Sequence, residues 1–499
     1  MIRLRLVSLN IEAILREPTI HRRRERLNKT TDGLGWADAY SSTIERIKAL
    51  DEGKSKLGLA ALMWVSHAER QLRADELCHA LAVELGSKDF NAGNAPSISI
   101  LVGYCQGLIT VDEETSIVRL VHPTVKEYLS TDIFSKPHSA MAEICLTYLN
   151  SEQVKALSAH PSAMIHDKPF LEYCSVYWGI HARQWFSDNA RSLALELLRE
   201  YEGHISRKLL LKRVKYLDRG GYGGKIDGDL GSDISFPFNG LDCASFFGIV
   251  ELVNTFIRMG TQAYSPLKWA ARNGHEEAAE TLLDWRVGDP NHRDYFEMTP
   301  LLYAIWCGHE QVIKTLLRSQ VADPNIPDGC GKTPLSYAAQ GGLEEVVKIL
   351  LQQRGVDPNA HDNSGNTPLS FAARSGHVRV VEILLGQNEV NPDKPNSNGQ
   401  TPLSYAASGG HEEVVKILLG RKDVNPDKPD NDGRTPLMCA TLGGHEGVVK
   451  ILLGQEKVNP NKPDNDGQTP LMLATRLDFH EVITLLQSHG AETPPQSGT

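Results

Sequence analysis

The segment with the clearest promise of phosphate chemistry is Gly53-Lys54-Ser55. A P-loop surrounds phosphates with backbone amides and requires G-x-x-x-x-G-K-[ST] directly after a strand. Here Lys48 stands where the first glycine belongs, and the preceding IERIKAL reads as helix. No Asp-rich strand end offers a magnesium ligand in the right order, so no nucleotide site is expected there. Histidines recur at positions 275, 309, 377, 411 and 445. They do not form a metal row, because stacked helices lie roughly 8–10 Å apart whereas zinc ligands lie about 2 Å from a shared ion. There is no H-E-x-x-H motif and no G-x-S-x-G nucleophile elbow. Catalytic residues, a metal and a cofactor are all expected to be absent, and the chain reads as non-enzymatic.

What the chain does carry is architecture. Its 499 residues leave room for about three domains, and 41% hydrophobic with 23% charged residues is ordinary for a globular protein. No run of ~18 apolar residues could span a membrane. Asn10, Glu12 and Arg16 interrupt the apolar start, against a signal peptide. The 8 cysteines are scattered without a CxxC pair, as in reduced intracellular proteins. The expected compartment is cytoplasmic, with the nucleus left open. The net charge of −10 sits entirely in residues 241–499, where 22 Lys+Arg face 32 Asp+Glu. An acidic surface repels phosphate backbones and disfavours nucleic-acid binding by that half.

Thr-Pro recurs at 299, 333, 367, 401, 435 and 469, always 34 residues apart, and Ser265-Pro266 continues the phase upstream. Proline suits the first turn of a helix, and the threonine before it can cap. Two alanines permit close helix approach, and a glycine turn ends the first helix. Val414, Val415, Leu418 and Leu419 place the second helix's apolar face on one side. Asn-Pro and Asp-Asn-Asp-Gly supply turn chemistry. A single such unit cannot bury its apolar stripe, so the units must stack. The T-P-L-x-x-A-A core, the Gly-His turn and the V-V-x-x-L-L helix resemble the ankyrin repeat. The resemblance covers about seven units over 241–491, with Leu241, Cys243, Ala244 and Gly248 as an N-terminal stub. Leu477-Asp478-Phe479 replaces the usual turn in the last unit, which reads as a cap before a frayed tail at 492–499. In ankyrins the repeated histidine ties the helix turn to adjacent backbone.

Upstream, Leu57–His67, Ala74–Leu85 and Ser97–Gln106 read as helices. Leu108–Val111 and Ile117–Val121 read as a hairpin closed by Asp112–Ser116. Three helices and a hairpin make a winged helix over 31–137. Residues 138–217 read as a helical connector, with Met141–Leu149 and Ser192–Tyr201 amphipathic and the aromatics of Leu171–Trp185 in its core. Residues 218–240 hold seven glycines and read as a linker. The expected architecture is mainly α: winged helix, helical connector and ankyrin solenoid. The third helix lacks Lys and Arg, and the wing tip is Asp112-Glu113-Glu114. A winged-helix DNA-binding regulator is therefore a disfavoured alternative. Arg22-Arg23-Arg24, with Arg26 and Lys29, reads as a solvated helix face, with a localisation signal as the lesser reading.

ALMWVSHAERQLRADELCHALAVEL (61–85), VRLVHPTVKEYL (118–129), MAEICLTYLN (141–150) and FLEYCSVYWGIHAR (170–183) resemble NACHT-type STAND proteins. The resemblance is to the large fungal members that carry ankyrins, related to NOD-like receptors. Residues 1–30 look like the tail of their NTPase module, and the module itself has no counterpart. The resemblance implies a non-catalytic interaction and regulatory segment, possessing a winged helix that latches an ADP-bound state and ankyrins that sense a partner, as in fungal self/non-self recognition. An alternative reading is a truncated NTP-dependent switch whose P-loop is encoded upstream. In such proteins the histidine at 122 contacts the nucleotide, a role it would have here only with the NTPase module present. Without that module, His122 reads as a half-buried structural residue. Segments of this winged-helix type sometimes carry a hydrolase name, which no residue here supports.

The ankyrin resemblance places partner binding on loop tips and the ends of first helices. Aromatics and arginines are the usual anchors of interfaces. The expected partner-binding residues are Tyr295, Phe296, Trp306, Lys332, Arg374, Gln400 and Arg434. Tyr295, Phe296 and Trp306 share one unit, whose loop has Glu297 where glycine is usual. The competing expectation is that these aromatics pack against neighbouring helices. The partner is an unidentified protein, and the oligomeric state is left open.

Overall fold

The computed structural model describes residues 36–131, 133–157, 167–219 and 237–492, together with 19, 21 and 22. The readings of 1–30 as a module remnant, of the basic run beyond Arg22, and of the tail beyond 492 lie outside the described residues. So do residues 220–236, the body of the glycine-rich segment. The chain is mostly helical and divides into two compact units, Met1–Tyr264 and Ser265–Thr499.

In the first unit, α1 (Trp36–Lys48), α2 (Glu52–His67), α3 (Ala74–Leu81) and α4 (Ile98–Tyr104) precede β1 (Ile109–Val111) and β2 (Val118–Leu120). The strands pair antiparallel in the register Ile109↔Leu120, Thr110↔Arg119, Val111↔Val118. A bridge from Arg73 to Ile117 adds a third partner that the hairpin reading lacked. α2 begins five residues earlier than expected, so Gly53-Lys54-Ser55 lies within a helix that follows a helix, and Lys54 pairs with Asp51 at 2.5 Å. Gly58 brings α2 against α4, since a Cβ there would lie 3.0 Å from the Tyr104 carbonyl oxygen. α5 (Pro123–Leu129) follows the wing.

The connector consists of α6 (Pro137–Leu149), α7 (Glu152–Leu157), α8 (Phe170–Gln184), α9 (Asp188–Arg199) and α10 (Ile205–Arg219). α9 is amphipathic as expected, burying Ala190, Ala194, Leu197 and Leu198 on one face. α6 is not: Met141, Ala142, Cys145, Leu146, Thr147, Tyr148 and Leu149 are all buried, because other connector helices cover most of its surface. Tyr173 and Trp178 of α8 are core residues, while Trp185, just past its end, is 50% exposed. Both ends of the expected 218–240 linker lie in described structure. α10 runs to Arg219, and Phe238 is buried, its carbonyl accepting from Arg207 Nε at 3.1 Å. The sequence stub is a complete helix pair, α11 (Gly240–Phe247) and α12 (Val250–Arg258). Phe247 packs into the notch left by Gly179 on α8, where a Cβ would lie 2.2 Å from its ring.

The second unit is seven helix pairs, from Pro266–Arg272 with Glu276–Asp284 to Pro470–Leu477 with His480–Ser488. Each threonine of the Thr-Pro pairs caps as expected, for example Thr401 accepting from Ser404 N–H. Successive pairs bury the Leu/Val/Ala face predicted by periodicity. Loop tips are stitched along the stack: Asn431 N–H donates to the Asn398 carbonyl and Asn465 N–H to that of Asp432, each at 2.9 Å. Asn431 Nδ2 adds a bond to the Ser397 carbonyl.

Candidate interaction surface and a buried histidine cluster

The inner face of the repeats carries a row of rings. Trp269, Tyr303, Tyr337, Phe371 and Tyr405 sit at one position of consecutive first helices. Tip residues anchor the hydroxyls: Tyr303 donates to Asp294 at 2.6 Å and Tyr337 to Asp328 at 2.7 Å. Tyr405 donates to Asn366 at 2.9 Å and accepts from Asn396 at 2.8 Å. Cations lie over the rings. Arg272 is 5.7 Å from the Tyr303 centroid, and Lys332 Nζ is 3.9 Å from that of Tyr337 and 4.5 Å from that of Phe371. Arg374 is 5.6 Å from the Tyr405 centroid. Such stacking contributes about 0.5–2 kcal/mol, more as the pair is desolvated. Burial pushes the Lys332 pKa down to about 8 against the opposing pull of Asp328 and Asp362.

Arg374 and Gln400 meet in one groove of about 610 Å³, lined also by Asn366, Asn396, Tyr405 and Ser408. That is a size suited to a few ligand side chains. Tyr295 and Phe296 form a separate patch, with their rings edge-to-face at 5.5 Å. They are 81% and 49% exposed. Trp306 is half-buried beside Tyr303, at 6.3 Å between centroids. Glu297 takes the left-handed conformation (φ 61°) that glycine adopts at the matching position of other tips. Arg434 lies outside the groove and pairs with Asp432 at 3.4 Å. Met298, grouped with the tips in the sequence, is buried.

The repeat histidines hold neighbouring units together. His309, His377, His411 and His445 each place Nε2 2.9–3.0 Å from a carbonyl of the preceding unit. Gly376 (φ 74°) admits His411, whose ring would collide with any Cβ there. Phe479 covers Gly444 in the same way in the final unit. His122 caps α5: its Nδ1 accepts from Thr124 N–H at 3.2 Å and lies 2.8 Å from Thr124 Oγ1, which in turn bonds Tyr40.

The first unit also assembles a cluster with no signature in the sequence. Glu69 follows α2, His138 opens α6 and His181 lies on α8. His138 Nδ1 and His181 Nδ1 are 2.8 Å apart, in rings stacked at 5.0 Å. Glu69 Oε1 lies 3.9 Å from His181 Nδ1. Tyr173 Oη lies 2.9 Å from His181 Nε2 and accepts from Glu69 N–H at 3.1 Å. Trp64 and His67 border the group. His181 is fully buried, and desolvation pushes its pKa down to about 3. Desolvation also lowers the pKa of His138 and raises that of Glu69.

The family described as ankyrin repeats (3 copies) matches residues 241–328, 318–394, 335–430, 386–464 and 422–497. The winged helix domain of GPI inositol-deacylase matches residues 44–143. No curated protein matches the chain. Among the described residues no helix is long and apolar enough to cross a membrane.

Proposed function

The chain belongs to the ankyrin-repeat family, and from that premise we propose that it is a non-catalytic module that binds an extended, polar segment of a partner protein in the Arg374–Gln400 groove. The groove itself carries this reading. One guanidinium, Arg374, stands among the amides of Asn366, Asn396 and Gln400 and the phenol of Tyr405. These groups can bond a peptide backbone and one acidic side chain. Lys332 extends the cationic line toward the preceding unit, whereas Tyr295, Phe296 and Trp306 offer an apolar second contact.

At the finer level, the proposed context is the sensing end of a NACHT–ankyrin STAND protein. The winged helix (31–137) and connector (138–217) form its regulatory part, and His122 contacts nucleotide only beside an NTPase module. The winged-helix match and the VRLVHPTVKEYL segment support this context. The name of the matched winged-helix family includes a deacylase, and that activity is not part of the proposed function.

Selection from a displayed random-peptide library tests the binding reading. Wild-type chain is expected to enrich sequences with a recurrent Asp or Glu, and Arg374→Ala is expected to lose them with an unchanged circular dichroism spectrum. Equal enrichment by both proteins would remove the groove from the account.

A further inference from the structure

We propose that Glu69, His138 and His181 form a binding site for one divalent transition-metal ion, which clamps the end of α2 to α6 and α8. Two imidazoles and a carboxylate are the donor set that zinc and its neighbours accept, with a fourth position left to water. The donor atoms lie within 4.8 Å of one another. Ligands about 2.0–2.1 Å from a tetrahedral zinc are separated from each other by roughly 3.3 Å. The 2.8 Å and 3.9 Å separations fall on either side of that value and the third is no more than 4.8 Å, so an ion would have to draw the three donors into register.

The surroundings favour a bound ion over a plain hydrogen-bonded pair. The two Nδ1 atoms face each other at 2.8 Å, and without an ion only one of them can carry the proton between them. Tyr173 Oη beside His181 Nε2 can hold the proton on that nitrogen, leaving Nδ1 free to coordinate. This is the usual way a neighbouring group orients a ligating histidine. His181 sits at the closed end against Trp64, whereas His138 is half-buried and Glu69 reaches solvent, which gives an ion a way in. The binding step is an exchange of tautomer and water with no redox change: the bridging proton moves to the outer nitrogen of its ring as the ion takes both Nδ1 lone pairs.

Titration of the full chain with Co²⁺ followed by visible absorption, and with Zn²⁺ by calorimetry, tests this. Wild type is expected to take up one ion per chain at a site well above the weak background of the surface histidines. His138→Gln is expected to abolish that site, and the more exposed Glu69→Gln to weaken it. Tyr173→Phe, in which His181 keeps its nitrogens, is expected to weaken binding by about 10–100-fold. Zn²⁺ should raise the melting temperature of wild type and not that of His138→Gln. Wild-type uptake no tighter than that of both His138→Gln and Glu69→Gln would overturn the proposal and leave a hydrogen-bonded histidine pair.

Discussion

In the second unit His309, His377, His411 and His445 each face a backbone carbonyl of the repeat before them, whereas in the first unit two histidines face each other. The residue is the same and the setting differs. A repeat meets only its neighbours, so its histidine can serve only the adjacent turn. A globular unit folds distant segments together: 43 residues separate His138 from His181, and Tyr173 reaches back to the Glu69 amide across 104. Repetition yields a long, even surface. Non-local packing yields one enclosed spot where reactive groups converge.

The largest expected test of this contrast is a cavity in a repeat. Leu418 is fully buried in the pair that begins at Pro402. Leu418→Ala should cost about 2–5 kcal/mol. Hydrogen exchange should show the loss concentrated in the flanking helices Val378–Leu385 and Glu446–Leu453, and the pair at Pro300–Arg318 should be spared. A uniform loss along all seven pairs would erase the distinction, because the stack would then behave as a single globular core.

A smaller effect concerns acid. In the first unit His204 is buried, its Nε2 3.2 Å from the Leu149 carbonyl and its Nδ1 accepting from Ser206 N–H, and desolvation pushes its pKa down to about 4. The unfolded imidazole titrates near ~6.5. Below that pH the unfolded chain binds a proton that the folded chain refuses. The stabilisation is therefore complete above about 6.5 and is lost as pH falls toward 4, at up to ~1.4 kcal/mol per pH unit. Urea midpoints between pH 7.5 and 4.5 check this, with a flatter profile expected for His204→Gln. An unchanged slope in the variant would assign the acid sensitivity elsewhere.

The smallest effect is expected at Tyr295. It is 81% exposed, and Tyr295→Ser should change stability by less than about 0.5 kcal/mol while weakening any partner that uses the Tyr295–Phe296 patch. A substantial stability loss would mean that the patch is structural after all.

The same contrast explains what could be read in advance. The 34-residue interval exposed the caps, turns and buried faces of the repeats, because each contact recurs at a fixed offset. The ring row from Trp269 to Tyr405 shares that interval, but its sequence position does not reveal that the rings lie mostly buried beneath cations from tips and helix ends. Arg374 and Gln400 were legible as surface residues, but their meeting in one groove was not, because it depends on the spacing between stacked units. The pattern of α6 reads as amphipathic and its burial does not, because helix periodicity does not reveal how many neighbours cover a helix. The Glu69–His138–His181 cluster has no spacing to recognise, since three separate elements supply it and only tertiary packing brings them together.

The stitched loop tips carry one further consequence. Each tip hands a backbone hydrogen bond to the next, so the row behaves as links loaded in series when the ends of the stack are pulled. Under tension the weakest link yields first, and each unit that lets go releases 34 residues, or roughly 100 Å of slack chain. A stretched molecule would lengthen in even steps and recoil by the same steps, acting as a soft spring whose stiffness is set one tip at a time.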